Sequence, residues 1–189
     1  MSQLPFRNVS PKRSFLKKYT SYRQYKEPLS LDFNRRCGYS DCADRWFGGK
    51  NTFHIDHFKP HKKFPALAAE YSNLVYACSY INILKSDDDP INYLDPCDDN
   101  YNDHFYRDAS GAIHPLSSSG QANYMHKKLK LGLARYRVIW MLDQLYSAME
   151  NLGSAIEKTA NSDDDKNKMN DLQARLTKEF IKYFNYLNT

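Results

Sequence analysis

The sequence predicts an α+β protein in which a small strand–strand–helix unit sits between a basic N-terminal segment and an antiparallel pair of C-terminal helices. Three observations predict it. Residues 51–58 alternate as a short strand does, and 73–78 form an apolar run leading into a helix-compatible stretch at 79–86. Beyond Gln121 apolar residues recur at spacings of three to five, the period of a helix face. Between residues 1 and 36, nine Lys and Arg stand against only Glu27 and Asp32. The division that follows is 1–36 as a basic arm or helix, 37–118 as the core, and 119–189 as the helical region. A chain of 189 residues is long enough to bury such a core.

The elements follow in order. Ser10-Pro11 can open a helix over Pro11 to Tyr25, with Pro28 closing it. Cys37 to Gly49 is turn-rich. On the first strand, Phe53, Ile55 and His57 fall on one face and His54, Asp56 and Phe58 on the other. Lys59 to Pro65 is a basic loop bounded by prolines. Asp87 to Asp103 is acidic and turn-rich, and Phe105 to Pro115, centred on Ser110-Gly111, reads as a hairpin. Leu129, Leu133, Tyr136, Trp140 and Leu145 make one helical stripe. Ser162 is a candidate N-cap before a second stripe, Leu172, Leu176, Phe180, Tyr183 and Leu187.

The net charge is +5, yet residues 1–36 alone carry +7. Tyr19, Tyr22 and Tyr25 are interleaved with these cations, a pattern that suits phosphate contact and stacking. The alternative is a solvated arm whose tyrosines pack on the body. Lys17 and Lys18, with Lys59, Lys62 and Lys63 of the loop, are the candidate nucleic-acid contacts. No run approaches the roughly 18 apolar residues of a membrane span, and the start lacks an apolar signal core. A cytoplasmic protein with no membrane partner is expected.

Four cysteines, Cys37, Cys42, Cys78 and Cys97, do not form a secreted disulfide framework in a chain of this size. Cys37-Gly38-Tyr39-Ser40 and Cys78-Ser79-Tyr80-Ile81 have the spacing of C-x-x-C knuckles whose second cysteine is replaced. A structural Zn²⁺ wants four soft ligands in a tetrahedron. Cys37 and Cys78 alone fall short, so structural zinc is not expected and the cysteines read as small buried hydrophobes. A set built from all four is conceivable, though no spacing demands it.

The chemistry concentrates in Phe53-His54-Ile55-Asp56-His57-Phe58-Lys59-Pro60, followed by Asn73 and by Asn82-Ile83-Leu84-Lys85. A carboxylate and an amide carbonyl are hard oxygen ligands suited to a Mg²⁺-type ion. A neutral histidine beside them can take a proton from water near pH 7. Metal-assisted phosphodiester hydrolysis needs those parts. His54 shares a strand face with Asp56 and reads as an extra ligand, a phosphate contact or a packed polar group. His61, His104, His114 and His126 read as structural or exposed, and the acidic runs at 87–89 and 163–165 as solvated faces or caps.

Together, Cys37-Gly-Tyr-Ser40, His54-Ile-Asp-His57-Phe-Lys-Pro60, Asn73-Leu-Val-Tyr-Ala-Cys78 and Asn82-Ile-Leu-Lys85-Ser-Asp87 resemble an HNH endonuclease. More narrowly they resemble the HNH nucleases of retron-linked and Septu-type bacterial anti-phage systems, which Leu94-Asp-Pro-Cys97-Asp-Asp, Gly111-Ala-Ile-His-Pro115 and Lys130-Leu-Gly-Leu133 also fit. The resemblance implies a ββα-metal fold, two antiparallel strands and a helix gripping one divalent ion. It implies His57 as the general base, Asp56 as a metal ligand and Asn73 as the brace that orients the histidine. Asn82 would be the other ligand, its amide oxygen favouring Mg²⁺ or Mn²⁺ over Zn²⁺. Lys85 and Lys59 would hold neighbouring phosphates or developing charge. With Ser40 and Ile81 in the knuckles, their stabilisation would fall to packing around Tyr39, Trp46, Tyr80 and Ile81. The expected activity is DNA hydrolysis by the effector of a defence complex with an ABC- or SMC-like ATPase partner. The alternative is a catalytically decayed nucleic-acid-binding or assembly module on the same fold.

Overall fold

A computed structural model describes residues 3–158 and 163–187. In chain order its elements are β1 (Leu4–Pro5), α1 (Lys26–Asp32), β2 (Phe53–His57), β3 (Leu74–Cys78), α2 (Ser79–Lys85), β4 (Phe105–Arg107), β5 (Ile113–Pro115), α3 (Gly120–Lys128), α4 (Ala134–Lys158) and α5 (Asp163–Leu187), with short 3-10 turns between them. The chain divides into two compact units, Met1–Tyr136 and Arg137–Thr189.

The two runs read as strands pair with each other. β2 and β3 are antiparallel, with His57 opposite Leu74, Asp56 opposite Val75 and Phe53 opposite Cys78. Every residue of β3 is buried, as an unbroken apolar run demands, whereas β2 exposes His54 and half-buries Ile55. α2 follows β3 without a loop, Cys78 standing at its N-cap in an extended conformation. The expected hairpin forms as β4 and β5, and β1 adds to it as a third antiparallel strand.

The helix expected over Pro11 to Tyr25 is not formed. Only a 3-10 turn at Tyr22–Tyr25 precedes α1, and Pro28 lies inside α1 rather than closing a helix. A first-turn proline costs nothing there because its missing N–H has no intrahelical acceptor. Tertiary bonds hold residues 13–15 in their non-helical path. The Asp32 carboxylate accepts from the N–H groups of Ser14 and Phe15 and from the Ser14 hydroxyl. Arg13 makes a two-pronged ion pair with Asp95 at 2.9 and 3.0 Å and reaches the Leu74 carbonyl. Phe15, Tyr19, Tyr25 and Tyr71 then form one aromatic cluster. The basic segment is thus partly structural: Arg7 and Arg13 are tied into the body, and Tyr25 is buried.

Two buried guanidiniums hold the Cys37–Ser40 turn. Arg7 donates to the carbonyls of Gly38 (2.6 Å) and Pro96, while lying over the Tyr101 ring. Arg107 donates to the carbonyls of Ser40, Phe6 and Gly111. Of the four side chains expected to stabilise the knuckles, Tyr39 and Ile81 are fully buried, but Trp46 is half-buried and Tyr80 is exposed. The arginines take up that task.

The stripe expected to run from Leu129 through Leu145 is interrupted. α3 ends at Lys128, and Lys130 adopts a left-handed conformation (φ +54) before α4 begins. α3 contributes Ala122 and Met125 to the core, with Leu129 just past its end. In the second unit α5 follows α4, and the Thr177 hydroxyl lies 3.7 Å from the Met149 sulfur. Along α5, Leu176, Phe180, Tyr183 and Leu187 are half-buried, and Leu172 is exposed. The expected cap at Ser162 lies outside the described residues. Among the described residues no helix is long and apolar enough to cross a membrane.

Gly38 tests the close packing beneath the knuckle. A Cβ there would stand 2.7 Å from Val75 Cγ1 and 2.8 Å from Phe33 Cε1. Gly38→Ala should therefore destabilise the protein by about 1–3 kcal/mol, the scale of core overpacking, measured as the shift in urea midpoint at unchanged m-value.

Candidate active site

β2 and α2 meet through two rungs. His54 and Asp56 lie two residues apart on one face of β2, and Asn82 and Lys85 lie three apart on α2. Asn82 Nδ2 is 3.2 Å from His54 Nδ1, and Lys85 Nζ is 3.1 Å from Asp56 Oδ2. The spacing of two on a strand thus meets the spacing of three on a helix. The first rung is near solvent, with His54 exposed and Asn82 half-buried; the second is deep.

Lys85 has no solvent exposure. Besides Asp56, its ammonium donates to the carbonyls of His57 (2.9 Å) and Phe58 (3.1 Å), and it lies beside the rings of Tyr93 and Phe58. All three of its protons have oxygen acceptors, as a buried ammonium requires. The expectation that Lys85 contacts phosphate therefore meets an ammonium turned wholly inward. Asp56 Oδ2 also accepts a 2.6 Å hydrogen bond from Tyr39, the third residue of the Cys37–Ser40 turn. Burial raises the Asp56 pKa above the ordinary carboxylate value, opposed by the Lys85 charge and the Tyr39 bond. Burial, and then the Asp56 charge, push the Tyr39 pKa far up, so it remains a phenol and a donor.

His57 turns to the other face of the strand. Its ring stands edge-on to Tyr22 (4.8 Å between centroids) and against His61 (4.9 Å). Its Nε2 lies 2.9 Å from the Ala68 carbonyl. A carbonyl only accepts, so in the neutral ring Nε2 carries the proton and Nδ1 is left as the acceptor. Burial lowers the His57 pKa; the Ala68 bond opposes that shift, and nearby His61 adds to it. His57 and Asp56 point to opposite faces, yet they are close enough for their charges to interact.

Asn73 closes the loop that carries these partners. Its Oδ1 accepts from the Lys59 N–H at 2.8 Å, and its Nδ2 donates to the carbonyls of Lys59 and Leu67. Its own carbonyl accepts from the Phe58 N–H. Residues 58–67 are thereby clamped, and Ala68, the partner of His57, lies at the end of the clamp. Asn73 is buried and braces; it does not face solvent.

The remaining expected contacts are dispersed. Lys59 and Lys63 are exposed on the loop, whereas Lys62 is paired with Asp87 at 2.6 Å. Lys17 and Lys18 line a separate cavity of about 270 Å³ with Tyr19, Tyr25 and Tyr71. The knuckle positions do converge. Cys37 Sγ accepts from the Cys78 N–H at 3.4 Å, and Cys37, Ser40, Cys78 and Ile81 are all buried. Burial opposes a Cys37 thiolate, but bonds from the Cys78 thiol, Ser40 and backbone N–H groups outweigh it and lower its pKa. Cys42 lies in the same region, near Ser40 and the Tyr136 carbonyl. Cys97 has Arg13, Asp95 and Asp98 as charged neighbours, and among the described residues no three cysteines gather into a group that could hold a metal.

Sequence reasoning gave Tyr39 a packing role and named no partner for His57. Tyr39 sits 17 residues from Asp56 and Ala68 acts through its backbone, so neither had a local signal. No family model, curated protein or solved structure matches the chain.

Asp56 Oδ1 carries only the 3.3 Å contact from Lys85, and among the described residues the Asn82 carboxamide oxygen has no protein partner. Carboxylate and amide oxygens are ligand types that Mg²⁺ and Mn²⁺ accept, and among the described residues no group of three or more His, Cys, Asp or Glu side chains gathers to hold a metal.

Two tests follow from this geometry. Lys85→Met leaves a buried carboxylate uncompensated and should cost about 3–5 kcal/mol in denaturant unfolding, whereas Lys85→Met with Asp56→Asn should recover most of it. For His57, an NMR titration of the imidazole should give a midpoint below 6.5, its ordinary value. Its depressed folded pKa means the unfolded chain takes the proton first as pH falls below 6.5, so stability declines through that window. A midpoint above 6.5 would show that the Ala68 bond outweighs burial.

Proposed function

We propose that this chain is a divalent-metal-dependent endonuclease of the HNH type that hydrolyses DNA phosphodiester bonds. The observation that carries the reading is the strand–strand–helix unit with His57 bound through Nε2 to the Ala68 carbonyl. That bond fixes one tautomer and leaves Nδ1 to take a proton from water, and burial keeps the ring neutral near pH 7. The resemblance of the Asp56-His57, Asn73 and Asn82-x-x-Lys85 segments to HNH nucleases supports the same roles.

In this reading Asp56 and Asn82 would hold the ion, which when bound polarises the scissile phosphate and stabilises the leaving oxygen. Asn73 keeps the loop, and with it the Ala68 carbonyl, in place behind His57. Lys85 positions Asp56 and the end of β2 rather than touching substrate. Tyr39 orients the carboxylate from the other side. Exposed Lys59 and Lys63 supply positive charge for neighbouring phosphates. The effector role in an anti-phage complex, with an ABC- or SMC-like ATPase partner, belongs to the narrower resemblance.

One observation favours the second reading, a binding module on a decayed nuclease fold. The Lys85 ammonium already compensates Asp56, and a cation bound there must share the carboxylate with it. Plasmid nicking separates the two. With Mg²⁺ or Mn²⁺ the wild type should nick and EDTA should stop it. His57→Ala should lower the rate by about 10²–10⁴-fold, the usual contribution of a general base, at a temperature where circular dichroism shows both proteins folded. The acid limb of the wild-type rate profile should fall below pH 6.5. Undiminished cutting by His57→Ala would remove His57 from the reaction; DNA binding without nicking under any cation, with the co-purifying partner included, would establish the module.

A further inference from the structure

Beside the His54–Asn82 rung the structure holds a cavity of about 390 Å³, walled by Tyr22, Arg23, Lys26, Phe53, His54 and Asn82. That volume lies in the roughly 300–1,000 Å³ range of small-ligand sites. No carboxylate lines it. Its aromatic walls come from Tyr22 and Phe53 and its polar groups are an amide, an imidazole and two cations.

The two cations differ in availability. The Lys26 ammonium donates to the Phe53 carbonyl and sits 5.2 Å from the Tyr76 ring centroid, so it is engaged within the fold. Arg23 is exposed, lies 5.4 Å from the centroid of the Tyr22 ring, and pairs with no carboxylate among the described residues. The nearby acid, Glu27, is bound to Lys50. A guanidinium held over an aromatic ring and free of an internal anion is suited to a phosphate. An aromatic wall next to it is suited to a base or sugar.

Tyr22 joins this cavity to the candidate base. Its ring packs edge-on against His57 while also lining the cavity. Asn82, on the same cavity, is the residue that would hold the ion. A nucleotide in the cavity would lie against Asn82, with the Tyr22 ring between it and His57.

We propose that this cavity is a nucleotide subsite that seats one nucleotide of a DNA strand beside the bond cut at His57, with Arg23 taking its phosphate and Tyr22 backing its base. The subsite rests on the nuclease reading for its place beside the cut bond, but its occupancy is measurable without cleavage. Arg23 and Tyr22 are positioning residues here.

The test is fluorescence anisotropy of the full chain with a labelled single-stranded DNA oligonucleotide in EDTA, so that nothing is cut. Arg23→Ala, a change at an exposed side chain, should weaken binding roughly tenfold, the scale of one hydrogen bond between charged groups. It should also lower the slope of log K against log salt by about 0.7, one phosphate contact on a single strand. Tyr22→Ala should weaken binding by roughly five- to hundredfold, the effect of one stacked base, while Tyr22→Phe should bind as wild type does. With an abasic oligonucleotide the Tyr22 effect should vanish and the Arg23 effect remain. Equal binding by wild type, Arg23→Ala and Tyr22→Ala overturns the subsite, as does a loss at only one of the two positions or no binding by wild type. If these losses appear but no cation supports nicking, the nuclease reading fails and the cavity stands as a nucleotide site of the binding module.

Discussion

Lys85 donates to the Asp56 carboxylate and to the carbonyls of His57 and Phe58 from a position with no exposure to solvent, and the strand–strand–helix unit is organised around that group. An ammonium in a dry interior is tolerated only where its charge is balanced and its protons are accepted. Balance comes from Asp56, and acceptance from the backbone where β2 ends. Because Lys85 is the last residue of α2, the same bonds fix the helix against the strand. They also set how far Asn82 stands from His54. A shift of α2 along β2 would break the ion pair before it altered anything at the surface.

The strand then distributes its two chemical groups to different environments. Alternation sends Asp56 inward to Tyr39 and Lys85, and sends His57 to the face of Tyr22, His61 and Ala68. One group is held in an ion pair, and the other is kept neutral by burial with a defined tautomer. The Asn73 clamp holds the second environment, and the Cys37–Ser40 turn supports the first through Tyr39. That turn is in its place by virtue of Arg7 and Arg107, whose guanidiniums bond its carbonyls. Two buried side-chain cations therefore hold a knuckle-like turn in which serine stands at the second cysteine position.

Local pattern was informative wherever burial follows sequence period. The strand alternation at 53–57, the unbroken apolar run at 74–78 and the direct entry into α2 were all legible, as was the hairpin about Ser110-Gly111. The N-terminal segment was not. Its helix is forestalled by bonds from Asp32 and Asp95 to residues 13–15, and these partners lie 17 to 82 positions away. The interruption between α3 and α4 was also hidden, because Leu129 and Leu133 keep helical spacing across a left-handed Lys130.

At the site, the chemical groups could be read from the chain directly: an adjacent carboxylate and imidazole, two amides and a lysine, at spacings that place each on a strand end or a helix face. Those spacings follow from backbone geometry, and they need no partner to be read. What each group touches was settled by the folded packing. It turned Lys85 inward onto Asp56, brought Tyr39 onto the same carboxylate, set the Ala68 carbonyl behind His57 and opened a cavity between Tyr22 and Asn82. Charge compensation and hydrogen-bond pairing in a buried space depend on residues distant in sequence, so the role of a polar side chain is fixed when the chain closes around it.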